Sequence, residues 1–293
     1  MRFSVIIPTY NRGELIEATI QSVLNQSFSD FEIIVVDDGG ADNTKEVIEN
    51  INSEKIKYFW KENAERAAAR NYGASKAKGE YITFLDSDDK LYSDFLLLAN
   101  ESLEEENDPE FFHQAYEVTD ENENRISKPE WPYQDNKKNI ARGNPLSCIG
   151  VFIKAQAFAK CRFNEDRGLT ASEDWELWIR LIAKYGLKRD RRISAALIQH
   201  SGRSVLAANE NQLRSRSELA VKYAFEDTDV QREFAELKVM IEAYWSTYVA
   251  LHLALSGNSS RSWKYLKDAV RKYPMIIFSK RALVIIKTNI FKQ

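Results

Sequence analysis

The sequence predicts an α/β layered fold followed by a helical region at its C-terminal end. Short β-branched runs alternate with helical patterns over about the first 90 residues, which favours parallel strand pairing. Two of these runs end in clusters of aspartates, and after about residue 207 nearly every segment has helical spacing. We therefore predict an α/β domain over 1–205 and a helical C-terminal region over 206–293.

The strands and helices of the α/β domain each have their own signal. Four runs are typical of buried strands: FSVIIPTYN, FEIIVVDDGGADNT, IKYFWK and EYITFLD. Three intervening segments have apolar residues at helical spacing or are rich in alanine: GELIEATIQSVLNQSF, TKEVIENI and ERAAARNYGASKAKG. The last of these helices is expected to stop at Gly79.

The pattern weakens between residues 100 and 145, where an acidic stretch precedes a polar one with three prolines. We predict a loop-rich insertion over one face of the sheet. Beyond it, CIGVFIKAQAFAKC is typical of a strand followed by a helix. SEDWELWIRLIAKYG begins a helix, with Ser172 at the N-cap and acids in the first turn.

Composition is ordinary for a globular protein, with 44% hydrophobic and 29% charged residues. Cys148 and Cys161 do not form a CxxC pair, so we expect two free thiols in a reducing compartment. The N-terminal apolar run is too short for a signal-peptide core, and no run of about 18 apolar residues could span a membrane. These features predict a cytoplasmic protein.

The charge is uneven along the chain. Residues 261–293 hold nine lysines and arginines against one acid, whereas the remaining 260 residues have a net charge of −11. Trp263, Leu266, Val270 and Tyr273 share one helical face in this tail, a pattern typical of a helix lying on an anionic membrane surface. The alternative is packing on the body or on a second subunit in a homodimer. The acidic body and the lack of a recognised motif argue against nucleic-acid binding.

Acidic clusters follow two predicted strands, Asp37 and Asp38 in one case and Asp86, Asp88 and Asp89 in the other. In open α/β sheets, ligands bind beyond the carboxyl ends of the strands. Clustered carboxylates repel one another unless a cation lies between them, and Mg²⁺ or Mn²⁺ prefers such oxygen ligands. The alternative is that these acids only solvate the strand end and cap the next helix.

Five motifs occur in series, each at a strand end or helix start: VIIPTYNR, VVDDGGADNT, ARNYG, FLDSDD and SEDWELWIRL. Together they resemble those of the family 2 glycosyltransferases, and the resemblance covers roughly residues 1–205. It implies a GT-A fold, that is, a Rossmann-like mixed sheet sandwiched by helices. It also implies inverting, metal-dependent transfer of a sugar from a nucleotide sugar.

The resemblance implies a donor site whose residues contact a nucleotide, with uridine the best match. Tyr10 would lie near the base, and Asp38 would accept a hydrogen bond from the uracil ring N–H. Arg70 would face the nucleotide or its phosphates. The full set of implied donor-binding residues is Pro8, Tyr10, Arg12, Asp38, Arg70, Asp86 and Ser87.

The resemblance also implies the catalytic groups. Asp86 and Asp88 would form the DxD element, with Asp88 contacting the Mg²⁺ or Mn²⁺ that bridges the diphosphate, a role that Asp89 could share. His200 would be a further metal ligand from a loop that closes over the diphosphate. Asp174, with Glu173 beside it, would be the general base that deprotonates the acceptor hydroxyl.

Several other residues have a plainer expected role. We expect His113 and His252 to be structural, and Trp175 and Trp178 to lie in the core with a smaller chance of sugar stacking. Arg180 could aid the diphosphate or form an ion pair. The chain departs from the family pattern at Gly40, Glu65 and Arg66, near the expected donor site.

The predicted function is transfer of a sugar from a nucleotide sugar, with UDP as the expected nucleotide, to a hydroxyl group of a saccharide or lipid-linked saccharide acceptor in surface polysaccharide or glycolipid assembly. Two alternatives stay open at this stage. One is a nucleotidyltransferase, although the loop PTYNRGE lacks the glycines and lysine of its phosphate loop. The other is a non-catalytic nucleotide-sugar-binding protein of the same fold. The predicted localisation is cytoplasmic, with the basic tail as a peripheral contact to the inner face of the membrane.

Overall fold

The computed structural model describes residues 1–200 and 209–291, and the strands of these residues form one mixed sheet. Its order is β3-β2-β1-β4-β8-β6-β9-β5, with β7 paired to β6. The strand bounds are β1 Phe3–Thr9, β2 Phe31–Asp37, β3 Ile56–Trp60, β4 Tyr81–Phe84, β5 Lys90–Leu91, β6 Phe111–Asp120, β7 Arg125–Ser127, β8 Val151–Lys154 and β9 Lys188–Gln199.

Helices cover both faces of this sheet and make up most of the C-terminal region. Their bounds are α1 Gly13–Leu24, α2 Thr44–Ile51, α3 Glu65–Lys76, α4 Phe95–Glu105, α5 Asn136–Ile140, α6 Ala155–Lys160, α7 Glu173–Tyr185, α8 Glu210–Ala224, α9 Thr228–Phe234, α10 Lys238–Leu255, α11 Ser259–Lys272 and α12 Lys280–Phe291. Short 3-10 turns lie at Arg167–Leu169, Ala235–Leu237 and Pro274–Phe278. The predicted fold class, a mixed sheet sandwiched by helices with a helical C-terminal region, is confirmed.

The first four strands pair in parallel, as the alternation of strands and helices predicts. The sheet becomes mixed at β8, which is antiparallel to both β4 and β6. Every residue of β1 and β2 is buried because helices lie on both faces, which explains their continuous apolar runs. Successive residues of β1 point to opposite faces, so Val5 and Ile6 belong to separate core clusters.

Close packing fixes α3 against the sheet. A side-chain carbon at Gly73 would lie 2.5 Å from Cγ2 of Ile6, so only glycine permits this approach. The helix ends at Lys76, three residues before the predicted stop at Gly79. Gly79 instead lies against the backbone of Ser4, where a side-chain carbon would be 2.5 Å from the Ser4 nitrogen.

The prediction of a loop-rich insertion between residues 100 and 145 was wrong. This stretch holds the end of α4, the hairpin of β6 and β7, and α5, and the ten-residue β6 lies inside the sheet between β8 and β9. The strand was missed because polar residues such as His113 and Gln114 are buried along it, which obscures the apolar pattern.

The C-terminal helices pack on the α/β body. Trp175 of α7, Ala220 of α8 and Ile241 of α10 belong to one buried cluster. The predicted boundary near residue 206 lies outside the described residues, and the division into 1–205 and 206–293 stays a prediction. Across residues 1–200 and 209–291, no helix combines the length and the apolar character needed to cross a membrane. Cys148 and Cys161 are both buried, unbridged thiols.

Candidate functional site

The carboxyl ends of β1, β2 and β4 meet at one edge of the sheet and border a cavity of about 430 Å³, here called the strand-end cavity. The backbone N–H of Asp38 donates to the Thr9 carbonyl at 2.9 Å, which holds the ends of β1 and β2 together. Seven residues predicted for donor or metal binding line this cavity: Pro8, Tyr10, Arg12, Asp38, Asp86, Ser87 and Asp88.

The adjacent acids Asp37 and Asp38 have different surroundings. Asp37 shapes the turn, since its carboxylate accepts from the Gly40 N–H at 2.7 Å and from the Tyr58 hydroxyl at 2.8 Å. Asp38 lines the cavity and is buried; its Oδ1 accepts from Lys61 Nζ at 2.7 Å and from the Ala64 N–H at 3.0 Å. Tyr10 is half-exposed at the rim.

The acids that follow β4 form a compact cluster. Asp86, Asp88 and Asp89 each offer a carboxylate oxygen, and these three oxygens lie within 4.8 Å of one another. His200 joins them, with Nε2 at 3.0 Å from Oδ2 of Asp88, and Nη2 of Arg12 lies 3.8 Å from the same oxygen. The structure therefore brings together all the residues predicted to hold a metal.

Asp89 also attaches the acidic loop to the rest of the domain. Its Oδ1 accepts from the backbone N–H of Ile198 at 3.0 Å, and its carbonyl accepts from the Thr19 hydroxyl at 2.9 Å. These bonds tie the acidic loop to the end of β9 and to α1. His200 follows β9 directly, so this attachment also determines where His200 lies. The residues that follow it, 201–208, are outside the described residues.

Arg70 lies behind the strand-end cavity and is not part of its lining. It is almost wholly buried and donates from Nη2 to Oδ1 of Asp86 at 2.6 Å and from Nη1 to Oε1 of Glu173 at 3.1 Å. Arg66 does line the cavity, as Arg12 does, and its Nε is 3.8 Å from the same Glu173 oxygen. Arg66 comes from the first turn of α3, where the sequence departs from the family pattern.

Asp174 opens into a different cavity, of about 170 Å³, here called the Asp174 cavity. Its Oδ2 accepts from Asn144 Nδ2 at 2.7 Å and its Oδ1 from the Trp175 N–H at 2.8 Å. Burial, together with the neighbouring charge of Glu173, raises the pKa of Asp174 to about 6. A carboxylate with this pKa is suited to accept a proton near neutral pH.

Glu173 has a different position although it is next in sequence. It is buried, bonds to Arg70, and lines neither cavity. Ser172 occupies the predicted N-cap, but its hydroxyl has no hydrogen-bond partner within the described residues. The first turn of α7 thus directs one acid to the core and the next to a cavity.

The remaining predicted residues have structural surroundings. Trp175 and Trp178 are buried in the core, as expected. Arg180 forms an ion pair with Glu176 at 2.7 Å. His113 is buried and stacks on Trp131, while His252 stacks edge-to-face on Tyr248. Burial lowers the pKa of both histidines.

Sequence reasoning missed residues that loops bring to the two cavities. Asn63 and Thr9 line the strand-end cavity, and Asn144 holds Asp174. Asn144 lies in the stretch predicted as an insertion, and no spacing signal links it to Asp174. Thr9 is the one of these three residues that the sequence could have indicated, because it belongs to the PTYNR motif.

The fold is that of a GT-A glycosyltransferase. A family model described as "Glycosyl transferase family 2" matches residues 4–162, and the chain belongs to this family.

Among solved structures, S. aureus TarS 1–349 in complex with UDP-GlcNAc superposes with a TM-score of 0.64 and 18% identity, over 94% of this chain and 92% of that one. The mannosyltransferase PcManGT from Pyrobaculum calidifontis, in complex with GDP-Man and Mn²⁺, has a TM-score of 0.59 and 17% identity, over 100% and 88% of the two chains. At these identities the likeness supports the shared fold.

Curated relatives are more similar in sequence. A glucosyltransferase from Campylobacter jejuni, named for the acceptor GalNAc(5)-diNAcBac-PP-undecaprenol, is 46% identical over 96 residues, 31% of each protein. The Escherichia coli UDP-Glc:alpha-D-GlcNAc-diphosphoundecaprenol beta-1,3-glucosyltransferase WfgD is 30% identical over 66% of this chain and 72% of its own length. An uncharacterized glycosyltransferase from Rickettsia felis is 35% identical over 62% of this chain. The match spans only 30% of the Rickettsia protein.

Proposed function

We propose that the protein is an inverting glycosyltransferase that moves a sugar from a UDP-linked donor to a hydroxyl group of an acceptor. The observation that carries this proposal is the shared guanidinium of Arg70, which bonds to Asp86 of the metal cluster and to Glu173, next to Asp174. This contact links a cavity suited to a nucleotide diphosphate with one that holds a carboxylate of raised pKa. The proposed donor site and the proposed base of a displacement reaction are therefore next to each other.

The donor assignment rests on the strand-end cavity. Asp38 is a buried acceptor at its inner wall, suited to a uracil ring N–H, and Tyr10 at the rim is suited to stack on the base. Arg12 and Arg66 supply positive charge for a diphosphate. The UDP-GlcNAc bound to TarS supports a UDP-linked donor, whereas the GDP-Man bound to PcManGT shows that this fold also serves another nucleotide.

The metal assignment rests on the donor atoms of the acidic cluster. Carboxylate oxygens and an imidazole suit Mg²⁺ or Mn²⁺, and Asp86, Asp88 and His200 would hold the ion. When bound, such an ion supplies positive charge that stabilises the departing diphosphate. The Mn²⁺ in PcManGT supports this assignment.

Asp174 is the proposed general base. The acceptor oxygen forms a bond to the anomeric carbon on the face opposite the nucleotide, and the bond between that carbon and the diphosphate oxygen breaks. The electron pair leaves with the nucleoside diphosphate, and the acceptor proton passes to Asp174. Attack from the opposite face inverts the anomeric centre. Arg70 and Glu173 act as positioning residues behind the reacting groups.

The acceptor and the location are proposed from the relatives and from the tail. Two relatives are named for acceptors linked to undecaprenol through a diphosphate, which supports a lipid-linked saccharide and a role in surface polysaccharide or glycolipid assembly. Large apolar side chains are exposed in the tail: Met275, Phe278, Leu283, Val284, Ile290 and Phe291. With the basic residues around them, they support peripheral contact with an anionic membrane from the cytoplasmic side. The face of α11 predicted for the membrane is not available to it, because Leu266 is buried and Val270 and Tyr273 pack on buried clusters of the C-terminal helices. For the exposed tail residues, packing against a second copy is the alternative.

A thermal-shift panel of nucleotide sugars with Mn²⁺, with and without chelator, tests the donor assignment. We expect one UDP-sugar to raise the melting temperature only with metal, because a ligand that binds the folded state stabilises it by mass action. Asp88→Ala should abolish the shift, and Asp94→Ala, at the N-cap of α4, is the control. A full shift without metal contradicts the proposal, and binding without any transfer or hydrolysis favours a non-catalytic sugar-nucleotide-binding protein.

A further inference from the structure

The Asp174 cavity adjoins a larger cavity of about 540 Å³, here called the basic cavity. The two share four lining residues, Gly143, Asn144, Tyr244 and Arg281. A molecule in the basic cavity therefore reaches the surroundings of Asp174 without passing through the strand-end cavity. On the proposed reaction, the acceptor must approach Asp174 from this side.

Arg281 faces both cavities with few polar partners. It lies in the first turn of α12, and its Nη1 donates to the Tyr244 carbonyl at 3.1 Å and lies 3.5 Å from the Thr247 hydroxyl. Neither partner is acidic. Burial lowers the pKa of Arg281, and the positive charge of Arg142 lowers it further. An enclosed guanidinium without a counter-charge is unfavourable unless a ligand supplies one.

Arg142 is the second guanidinium at the same place. Its Nε donates to the Tyr244 hydroxyl at 2.9 Å, and the group lies over the rings of Tyr133 and Tyr244, 5.0 and 5.4 Å from their centroids. Tyr244 thus fixes both arginines, one through its hydroxyl and the other through its carbonyl. Gly143 permits the arrangement, because a side-chain carbon there would lie 2.8 Å from Nη2 of Arg281.

The charges around the basic cavity are mostly positive. Its cationic lining residues are Lys128, Arg142, Lys280 and Arg281, and the acid in the lining, Glu130, is already bound by Lys280. The first turn of α12 also faces this cavity, and the N-terminal end of a helix favours negative charge. A neutral saccharide would leave the charges of Arg142 and Arg281 uncompensated.

We propose that the basic cavity and the Asp174 cavity form one acceptor subsite, in which Arg281 and Arg142 bind a phosphoryl group of the acceptor. The planar forks of two guanidinium groups match the several oxygens of a phosphoryl group better than the two of one carboxylate. The group would hold the acceptor with its hydroxyl directed to Asp174. This assignment rests on the proposed function and specifies its acceptor as a phosphorylated one, either a lipid diphosphate or a phosphosaccharide.

The test measures binding of farnesyl diphosphate and of glycerol 1-phosphate to the full chain in EDTA, which removes cations that would hold a diphosphate in the strand-end cavity. Farnesol controls for apolar binding. We expect Arg281→Gln to weaken phosphoryl binding roughly tenfold or more, because a charged hydrogen-bonding group is lost. Arg271→Gln, an exposed arginine of α11, is the matched control.

Arg142→Gln gives an independent reading if Arg281→Gln does not fold, and should also weaken binding. Tighter binding of farnesyl diphosphate supports a lipid-linked acceptor, and equal binding of the two probes supports a phosphosaccharide. Unchanged binding in both arginine variants overturns the assignment. Binding of UDP with Mn²⁺ is measured on the same proteins: its absence from the unaltered protein contradicts the proposed function, and the phosphoryl result does not depend on it.

Discussion

Nη1 of Arg70 lies 3.1 Å from Oε1 of Glu173, in a buried contact between α3 and the first turn of α7. The other terminal nitrogen of Arg70 donates to Asp86. One cation therefore neutralises an acid from each of two motifs that are far apart in sequence. Because burial weakens solvent screening, this contact both stabilises the fold and fixes the distance between the two acidic motifs.

Replacing Arg70 by methionine should destabilise the protein strongly. The change leaves Asp86 and Glu173 without their shared counter-charge, and breaking a buried ion pair in this way costs about 3–5 kcal/mol. Urea unfolding measures the loss, and Arg232→Met, which removes an exposed ion-pair partner, should leave the midpoint unchanged. A similar midpoint for Arg70→Met and the unaltered protein would show that the contact adds no stability.

Asp174→Asn should reduce turnover while leaving donor binding intact. The amide cannot accept the acceptor proton, and loss of a general base typically lowers the rate about 10²- to 10⁴-fold. Steady-state kinetics gives turnover, and thermal shift with UDP and Mn²⁺ gives donor binding. Asp268→Asn, on exposed α11, is the control. Turnover equal to that of the unaltered protein would rule out Asp174 as the base.

Activity should fall as the pH drops through about 6, because the pKa of Asp174 is raised to about that value and only the ionised form accepts a proton. The hydrogen bond from Asn144 favours the ionised form, so Asn144→Ala should raise the pKa and move the acid limb to higher pH. The raised pKa also means that the free energy of unfolding decreases as the pH rises from about 4 to 6. A pH–rate profile of the unaltered protein and of Asn144→Ala gives the pH of the acid limb in each. Acid limbs at the same pH would contradict the predicted effect of Asn144 on the pKa of Asp174.

Metal binding should separate the three clustered aspartates. Asp88→Asn should abolish Mn²⁺ binding and His200→Ala should weaken it roughly tenfold, since each removes a proposed ligand. Asp89→Asn should mainly lower the melting temperature, because its carboxylate accepts the Ile198 N–H. Electron paramagnetic resonance titration of Mn²⁺ and thermal unfolding give the two readings. Full Mn²⁺ affinity in Asp88→Asn would exclude this cluster as the metal site.

The tail should bind anionic vesicles through its exposed apolar side chains. Phe278→Glu removes an exposed aromatic group and adds a repelled charge, so it should weaken partition roughly fivefold or more. Flotation with vesicles of phosphatidylglycerol and phosphatidylcholine measures partition. Ile126→Glu is the control, because it replaces an exposed apolar side chain by the same charged one on β7, outside the tail. Concentration-dependent dimerisation that Phe278→Glu abolishes, with no vesicle binding, would favour a second copy as the partner.

Sequence periodicity predicted β1 to β4 and the helices between them because apolar residues with a regular spacing dominate there. It failed at β6, where His113 and Gln114 are buried side by side with apolar residues, so the alternation is lost. The strand-end cavity followed from motifs near the carboxyl ends of strands. Asn144 and Arg281 could not be found in this way, because tertiary packing of distant segments brings them to Asp174.

The sequence interpretation also treated the C-terminal basic residues as one group. Lys280 is exposed on the surface, whereas its neighbour Arg281 turns inward to Tyr244. Adjacent side chains on a helix point in different directions, and only the packing of α12 on α10 determines which one faces the cavities. Composition therefore predicted a basic tail but not the inward arginine.

The family model stops at residue 162, yet the walls around Asp174 include Tyr244 and Arg281 from α10 and α12. The strand-end cavity, by contrast, is built entirely from residues before 89. Recombination at a point between residue 89 and α10 could exchange the α10 and α12 residues that line the Asp174 cavity and leave the lining of the strand-end cavity unchanged. Chimeras of related chains joined after α7 would then inherit the strand-end cavity from one parent and the part of the Asp174 cavity formed by α10 and α12 from the other.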